Sequence, residues 1–219
     1  MTDDTATAVL VKEVKTRRFW NRSADKYARR PISDQAAYER KLEISRKYLN
    51  AQCEVLEIGC GTGSTAIVHA PYVRNIRATD LSTRMIEIAT DKAREAGVDN
   101  VKFEACSIED LEVETGSLDV IMAHSVIHLV DDRDAVLNCI QSWLNPGGVL
   151  IASTACIGDM MWPLRMVLPL GRALGLFPLV RSFTREALET SIRDNGLALE
   201  ESWRPSSNAA VFHVARKTV

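Results

Sequence analysis

The apolar positions of the chain follow two different periods. Between residues 7 and 50 they recur every three or four places among charged residues, the spacing of a single helix face. Pro31 interrupts the stretch, since its ring clashes with the preceding helical turn and it has no N–H to donate, so the pattern predicts two helices. The second is expected over 34–49, with Asp34 as its N-cap and Leu42, Ile44, Tyr48 and Leu49 on its apolar face. From Cys53 the pattern becomes short apolar runs alternating with helical segments. Residues 54–58, 76–79, 101–105 and 118–123 read as strands, and 149–153 as a fifth behind the turn Asn145-Pro146-Gly147-Gly148. Helices are expected at 64–70, at 82–96 closed by Gly97, at 133–144, and at 184–195 ending on Gly196. Two last strands, 197–203 and 210–215, are expected to pair as a hairpin at one sheet edge.

Strands alternating with helices predict an α/β fold. The sheet should be doubly wound, Rossmann-like, mostly parallel and seven-stranded, with a C-terminal antiparallel hairpin and an N-terminal helical cap. No repeat or low-complexity linker divides the chain, so residues 1–50 read as a cap on the same domain as 51–219. The proline-broken apolar stretch within about 156–182 reads as an insertion.

Composition narrows the partners. The chain has 219 residues, 46% of them apolar, and Lys+Arg 27 nearly balances Asp+Glu 29 for a net charge of -2. That balance gives no general attraction to nucleic acid or anionic lipid, although Arg29, Arg30 and Arg40 cluster locally. Cys53, Cys60, Cys106, Cys139 and Cys156 form no CxxC pair and no zinc-ligand spacing, and their odd number excludes a fully paired disulfide framework. Buried, reduced thiols and a cytoplasmic location are the expectation. The start of the chain has no basic-then-apolar leader, and the apolar run 160–180 is broken by Arg165, Arg172, Pro163, Pro169 and Pro178 before it reaches membrane-spanning length.

The chemistry concentrates after the first strand, in Gly59-Cys60-Gly61-Thr62-Gly63. Alternate glycines permit a tight turn and close approach of a ligand to the backbone, and the next helix offers free N–H groups. Glu57 precedes the loop by two positions, and Asp80 ends the second strand where an acidic group binds ribose hydroxyls. A dinucleotide site would place its third glycine at position 64, which is Ser here, so the spacing suits a nucleoside lacking a pyrophosphate.

The segment Val55-Leu-Glu-Ile-Gly-Cys-Gly-Thr-Gly63 resembles the first motif of class I S-adenosylmethionine (SAM)-dependent methyltransferases. The resemblance continues through Ala78-Thr-Asp-Leu-Ser82 with Met85, Ser107-Ile-Glu-Asp-Leu111, Gly116 to Ile121, Val126-Ile-His-Leu129 and Leu144-Asn-Pro-Gly-Gly148. It is similar to the small-molecule, ubiquinone- and menaquinone-biosynthesis group. By that resemblance SAM is the cofactor, with Glu57, Gly59, Gly61 and Gly63 around its methionine part and Asp80 on the ribose. Leu81, Met85, Ser107, Ile108 and Ala123 then line the rest of the cofactor site. Ser107 stands where relatives often carry Asp. His124, just past the fourth strand, falls near the reaction centre, and Tyr27 lies in the N-terminal segment that relatives fold over the cofactor, so these two are the candidate catalytic residues. His128 reads as a structural helix-start residue rather than a base, Phe19 as packing, Tyr38 as either, and His69 and His213 as peripheral. No metal is implied.

Methyl transfer from a sulfonium is an in-line displacement that relies on alignment and exclusion of water. The Asn/Asp-Pro-Pro-Phe/Tyr loop of nucleic-acid amino methyltransferases is replaced by Ala123-His124-Ser125-Val126, which points to a small, largely apolar acceptor such as a thiol or phenol and not to nucleic acid. Two alternatives stand beside it: a quinone or phospholipid methyltransferase whose 163–180 segment touches membrane, and a non-catalytic SAM- or partner-binding domain. The residues 160–170 suit a soft lid, with a dimer surface and ordinary core as the competing readings, leaving monomer and homodimer open.

Overall fold

The computed structural model describes residues 3–159 and 180–218, with side chains from residue 13 onward. Helices α1 (Asp3–Ala28) and α2 (Gln35–Arg46) part on either side of Pro31 as the ring requires. The Asp34 carboxylate caps α2 by accepting the Ala37 N–H at 2.9 Å. The helix stops before Tyr48 and Leu49, whose N–H groups bond only three residues back, to Ser45 and Arg46.

Then follow β1 (Glu54–Ile58), α3 (Ser64–His69), β2 (Asn75–Asp80), α4 (Thr83–Glu95), β3 (Val101–Ala105), β4 (Leu118–His124), α5 (Arg133–Trp143), β5 (Leu144–Thr154), α6 (Arg185–Asp194), β6 (Leu197–Trp203) and β7 (Val211–Lys217). They form one seven-stranded sheet in the order β3-β2-β1-β4-β5-β7-β6. The first five strands are parallel to one another, and β7 runs antiparallel to both β5 and β6. The expected hairpin is present, but β7 is inserted between β5 and β6, so only β6 forms the edge. The expected turn at 145–148 is absorbed into β5, whose pairing passes from Leu118↔Leu144 to Val120↔Val149 across a bulge.

Alternation along the strands builds two apolar layers. Leu56, Ile121, Leu150 and Ala215 pack with Leu137 and Ile140 of α5 and Leu188 of α6. Val55, Ile76, Met122, Ile151 and Phe212 pack on the other face with Ile44 of α2 and Ala66 of α3. Each fully buried Leu or Ile contributes roughly 1.5–3 kcal/mol. Because the chain winds from β1 out to β3 and then returns to β4 beside β1, loops leaving β1 and β4 diverge and open a crevice at their C-terminal ends. That switch point is where open α/β sheets bind ligands.

The expected insertion lies largely outside the described residues, as do the lid, dimer and membrane readings of 160–180 with Arg165 and Arg172. Its flanks are joined, since the Gly158 N–H donates to the Phe183 carbonyl at 2.8 Å. Among the described residues, no helix is long and apolar enough to cross a membrane, and no group of three or more His, Cys, Asp or Glu could hold a metal ion. Cys53, Cys60 and Cys156 are buried, but Cys139 is exposed and Cys106 half-buried, so the expectation of buried thiols fails for those two.

Candidate cofactor and acceptor site

The glycine loop leaves β1 and enters α3 with Gly59, Gly61 and Gly63 at φ +66°, +54° and +73°. Two of the three are also sterically fixed. A Cβ on Gly63 would lie 2.7 Å from the Phe103 ring and 2.8 Å from Ala89, and one on Gly59 would lie 2.9 Å from Val126. At Gly61 the nearest neighbour is the Tyr27 ring, 3.7 Å away, so α1 sets an aromatic edge over the middle of the loop. Tyr27 is 46% exposed, and its phenol is raised first by burial and next by Asp80.

Asp80 braces the loop. One carboxylate oxygen accepts the Gly61 N–H at 2.9 Å and the other the Ser82 N–H at 2.8 Å. Burial pushes the Asp80 carboxyl up, and these two N–H groups pull it back down. Ser82 caps α4 by accepting the Met85 N–H at 3.1 Å, while its hydroxyl donates to Asn21 of α1 at 2.6 Å. Asn21 also accepts the Arg84 N–H at 3.2 Å, and Asp25 meets the Arg84 guanidinium at 2.8 Å. The N-terminal helix is thereby fastened directly beside the Asp80 turn. Asn21 and Asp25 carry no motif, and only their separation by one helical turn hints at a shared face.

The ends of β1, β2 and β3 stand side by side, linked by Cys60 N–H to the Thr79 carbonyl at 2.9 Å and Cys106 N–H to the Asp80 carbonyl at 3.0 Å. The structure therefore brings the glycine loop, Leu81 and Ser107-Ile108 to one edge. Leu81 and Ile108 are half-buried there. Ser107 is buried, and its hydroxyl is already engaged, donating to the Asp110 carboxylate at 2.7 Å and accepting the Asp110 N–H at 3.2 Å. Met85 is only 2% exposed and belongs to the packing of α4, and Ala123 is fully buried between β1 and β5.

Glu57 faces the α2–α3 layer, 2% exposed, with Oε2 lacking any hydrogen-bond partner among the described residues. Burial raises its carboxyl to about 8, against the opposing Ala66 N–H and with Asp80 adding to the rise. Between about pH 5 and 8 the folded protein then keeps a proton that the unfolded chain, with an ordinary glutamate, has already released. Stability of the ligand-free protein is expected to fall as pH rises through that window, by about 1 kcal/mol or more, and Glu57→Gln should flatten the fall. Urea midpoints at pH 5 and 8 measure it, and equal slopes for both proteins would contradict the assignment.

Register places a second group on the same face at the ends of β4, β5 and β7. His124 pairs with Ser153, and Ser153 with Phe212. His124 stacks on Phe212 with centroids 6.4 Å apart and planes 9° from parallel. Its imidazole is pushed down to about 3 by burial, then by Lys41 and His69. His124 is therefore uncharged at neutral pH and a weak proton acceptor. Lys41 of α2 donates to the Ser153 hydroxyl at 2.9 Å. The chain then turns through Ser125 at φ +58°, whose N–H donates to the Ser153 carbonyl at 2.7 Å.

The remaining histidines differ from expectation. His69 is not peripheral but fully buried, with both ring nitrogens unpartnered among the described residues and a value pushed down to about 4 by burial. His213 is likewise internal, on the opposite sheet face 3.4 Å from Glu189. His128 occupies a turn rather than a helix start, because Leu129 bonds back to Val126 and α5 begins only at Arg133. Phe19 packs edge-on against Trp20, centroids 5.3 Å apart, in keeping with a packing role. Tyr38 is half-buried, its phenol raised first by burial and next by Glu57.

A parallel sheet of this order, with a braced three-glycine loop at its switch point, defines a nucleoside-binding α/β domain. The chain belongs to the methyltransferase-domain family, whose model matches residues 49–203. It is 40% identical over 99 residues to the tRNA 5-carboxymethoxyuridine methyltransferase of Escherichia coli (strain K12), a match covering 44% of this chain and 38% of that protein. It is 32% identical over 112 residues to a ubiquinone biosynthesis O-methyltransferase of Xanthomonas axonopodis pv. citri, covering 51% of this chain and 46% of that one. The matched stretches thus span less than half of these relatives. Among solved structures, geranyl diphosphate C-methyltransferase of Streptomyces coelicolor A3(2) superposes with a TM-score of 0.71 at 13% identity, covering 94% of this chain and 98% of that one, which shows a shared fold. The resemblance to class I SAM-dependent methyltransferases drawn from the sequence motifs holds.

Proposed function

We propose that this protein is a SAM-dependent methyltransferase acting on a small-molecule acceptor. The observation that carries the reading is the loop itself. Three positive-φ glycines are tied to the Asp80 carboxylate, and the partnerless Oε2 of Glu57 lies in β1 just ahead of them. A polar ligand with an ammonium group suits that orphaned oxygen, and the open space at Gly61, where Tyr27 is the one neighbour among the described residues, suits a ligand lying against the backbone. Gly59, Gly61 and Gly63 would hold the amino-acid part of the cofactor. Asp80 would receive ribose hydroxyls on its remaining lone pairs, and Leu81 and Ile108 would flank the base. With the Ser107 hydroxyl engaged by Asp110, a base amino group would meet the remaining lone pair of Ser107 or the Asp110 carboxylate.

When bound, SAM supplies an electrophilic methyl carbon and departs as the neutral thioether. The chain's contribution is positioning. Tyr27 covers the loop and keeps water from it, and neutral His124 forms a polar wall beside Gly59, since Ile58 pairs with Ala123 one residue earlier. With a value near 3, His124 orients an acceptor by hydrogen bonding more effectively than it removes a proton. A small acceptor is supported by the near-balanced charge and by Arg40, whose guanidinium lies 4.5 Å over the Trp203 ring, engaged within the protein.

Calorimetry with SAM and with S-adenosylhomocysteine tests the cofactor assignment. Saturable one-to-one binding of both is expected, followed by S-adenosylhomocysteine release when an acceptor is supplied. No binding of either would end the methyltransferase reading.

A further inference from the structure

The end of the crevice beside β4 and β5 holds a cation that forms no ion pair among the described residues. Lys41 is half-buried on α2, and its one side-chain hydrogen bond among the described residues is to the neutral Ser153 hydroxyl at 2.9 Å. No carboxylate forms an ion pair with it among the described residues. Asp34, the acidic group that acts on it, is occupied capping α2. An ammonium has three N–H donors, so two remain uncommitted. The groups beside it strengthen the case. His124 next to Ser153 is uncharged and makes no hydrogen bond among the described residues, and His69 behind it is fully buried with both nitrogens unpartnered. A half-buried charge surrounded by neutral polar groups is costly unless an anion completes it.

Position relates this cation to the cofactor loop. Gly59 follows Ile58, which pairs with Ala123, so the loop departs alongside His124, and Ser153 pairs with His124 on the next strand. Two strand spacings separate the loop from Ser153, about 10 Å in all. A molecule bridging them has its reactive atom near the loop and its charged group about one aromatic ring away.

We propose that Lys41, with Ser153 and His124, forms an acceptor-binding subsite for an oxyanion, so that the methyl acceptor is a small molecule carrying a carboxylate rather than a neutral or cationic one. The proposal rests on the methyltransferase reading and adds the class of acceptor to it. It also revises the largely apolar acceptor expected from the sequence, because the charge on α2 becomes part of the pocket only when α2 lies across the ends of β4 and β5.

The test uses protein saturated with S-adenosylhomocysteine, titrated with 4-hydroxybenzoate, benzoate and acetate, each beside its carboxamide. At least one carboxylate is expected to bind ten-fold or more tightly than its carboxamide. Lys41→Met should remove that preference and Lys41→Arg should retain it, with S-adenosylhomocysteine affinity the same in all three proteins. A carboxamide binding as well as its carboxylate, no carboxylate binding at all, or a preference that survives Lys41→Met would each overturn the subsite. Failure of S-adenosylhomocysteine to bind the unaltered protein would instead strike the underlying methyltransferase reading, so the two failures are distinguishable.

Discussion

Gly63→Ala is expected to remove much of the folding stability of the protein. The residue sits at φ +73°, a region that costs an L-residue of order 1 kcal/mol, and its new methyl would lie 2.7 Å from the Phe103 ring and 2.8 Å from the Ala89 methyl. Ala89 is a fully buried residue of α4 whose Cβ cannot retreat without moving the helix, and the half-buried Phe103 ring of β3 must turn aside. Overpacking of this kind adds roughly 1–3 kcal/mol, for a total of about 2–4 kcal/mol against the 5–15 kcal/mol typical of a domain. Gly97→Ala is the control, because Gly97 has φ +67° but nothing within 4 Å of its added Cβ. Urea unfolding of both variants should show the Gly63 loss exceeding the Gly97 loss by at least about 1 kcal/mol. Equal losses would mean that the loop does not pack against β3 and α4 as described.

Asp80→Ala is expected to give the largest loss of cofactor affinity. It deletes both oxygens that hold the Gly61 and Ser82 N–H groups, at 2.9 and 2.8 Å, and with them the brace that fixes the loop. Hydrogen bonds to a charged partner contribute about 1.5–3 kcal/mol each, and any ribose contact is lost as well. A weakening of S-adenosylhomocysteine binding by about 30- to 300-fold follows, with about 1.4 kcal/mol per factor of ten. Asp80→Asn keeps one acceptor oxygen but turns an amide donor toward the second N–H, so it should fall between the two. Calorimetry on variants whose circular dichroism remains native measures this. Unchanged affinity in Asp80→Ala would remove Asp80 from the site.

Much of the cofactor half was legible in advance, for a local reason. Strands β1 and β3 begin and end where the apolar runs do, and the glycine spacing states a backbone requirement within five residues. Asp80 was legible by position, but its first task was not. The chain shows an acid at the end of a strand, and its bond to the Ser82 N–H is local, whereas the bond to Gly61, 19 positions away, exists only once β1 and β2 lie side by side. Ser107 was expected to face the base, and the Ser-x-x-Asp spacing that turns its hydroxyl toward Asp110 was visible in the sequence without being decisive.

The acceptor half was hidden because its residues come together from far apart. Lys41 and Ser153 are 112 positions apart, and on the cofactor side Asn21 and Ser82, 61 apart, were hidden for the same reason. Neither pair has a periodicity or spacing to betray it. Two internal histidines passed as peripheral, since burial of an imidazole depends on which elements cover it. By itself, the sequence determined the order of elements, the doubly wound sheet and the glycine loop, all of which follow from periodicity and short-range backbone demands. Only the tertiary structure decided that β7 enters the sheet interior, that α1 clamps the Asp80 turn, and that Lys41 of α2 donates to Ser153 at the end of β5. Those outcomes depend on long-range packing and desolvation, which no local pattern encodes.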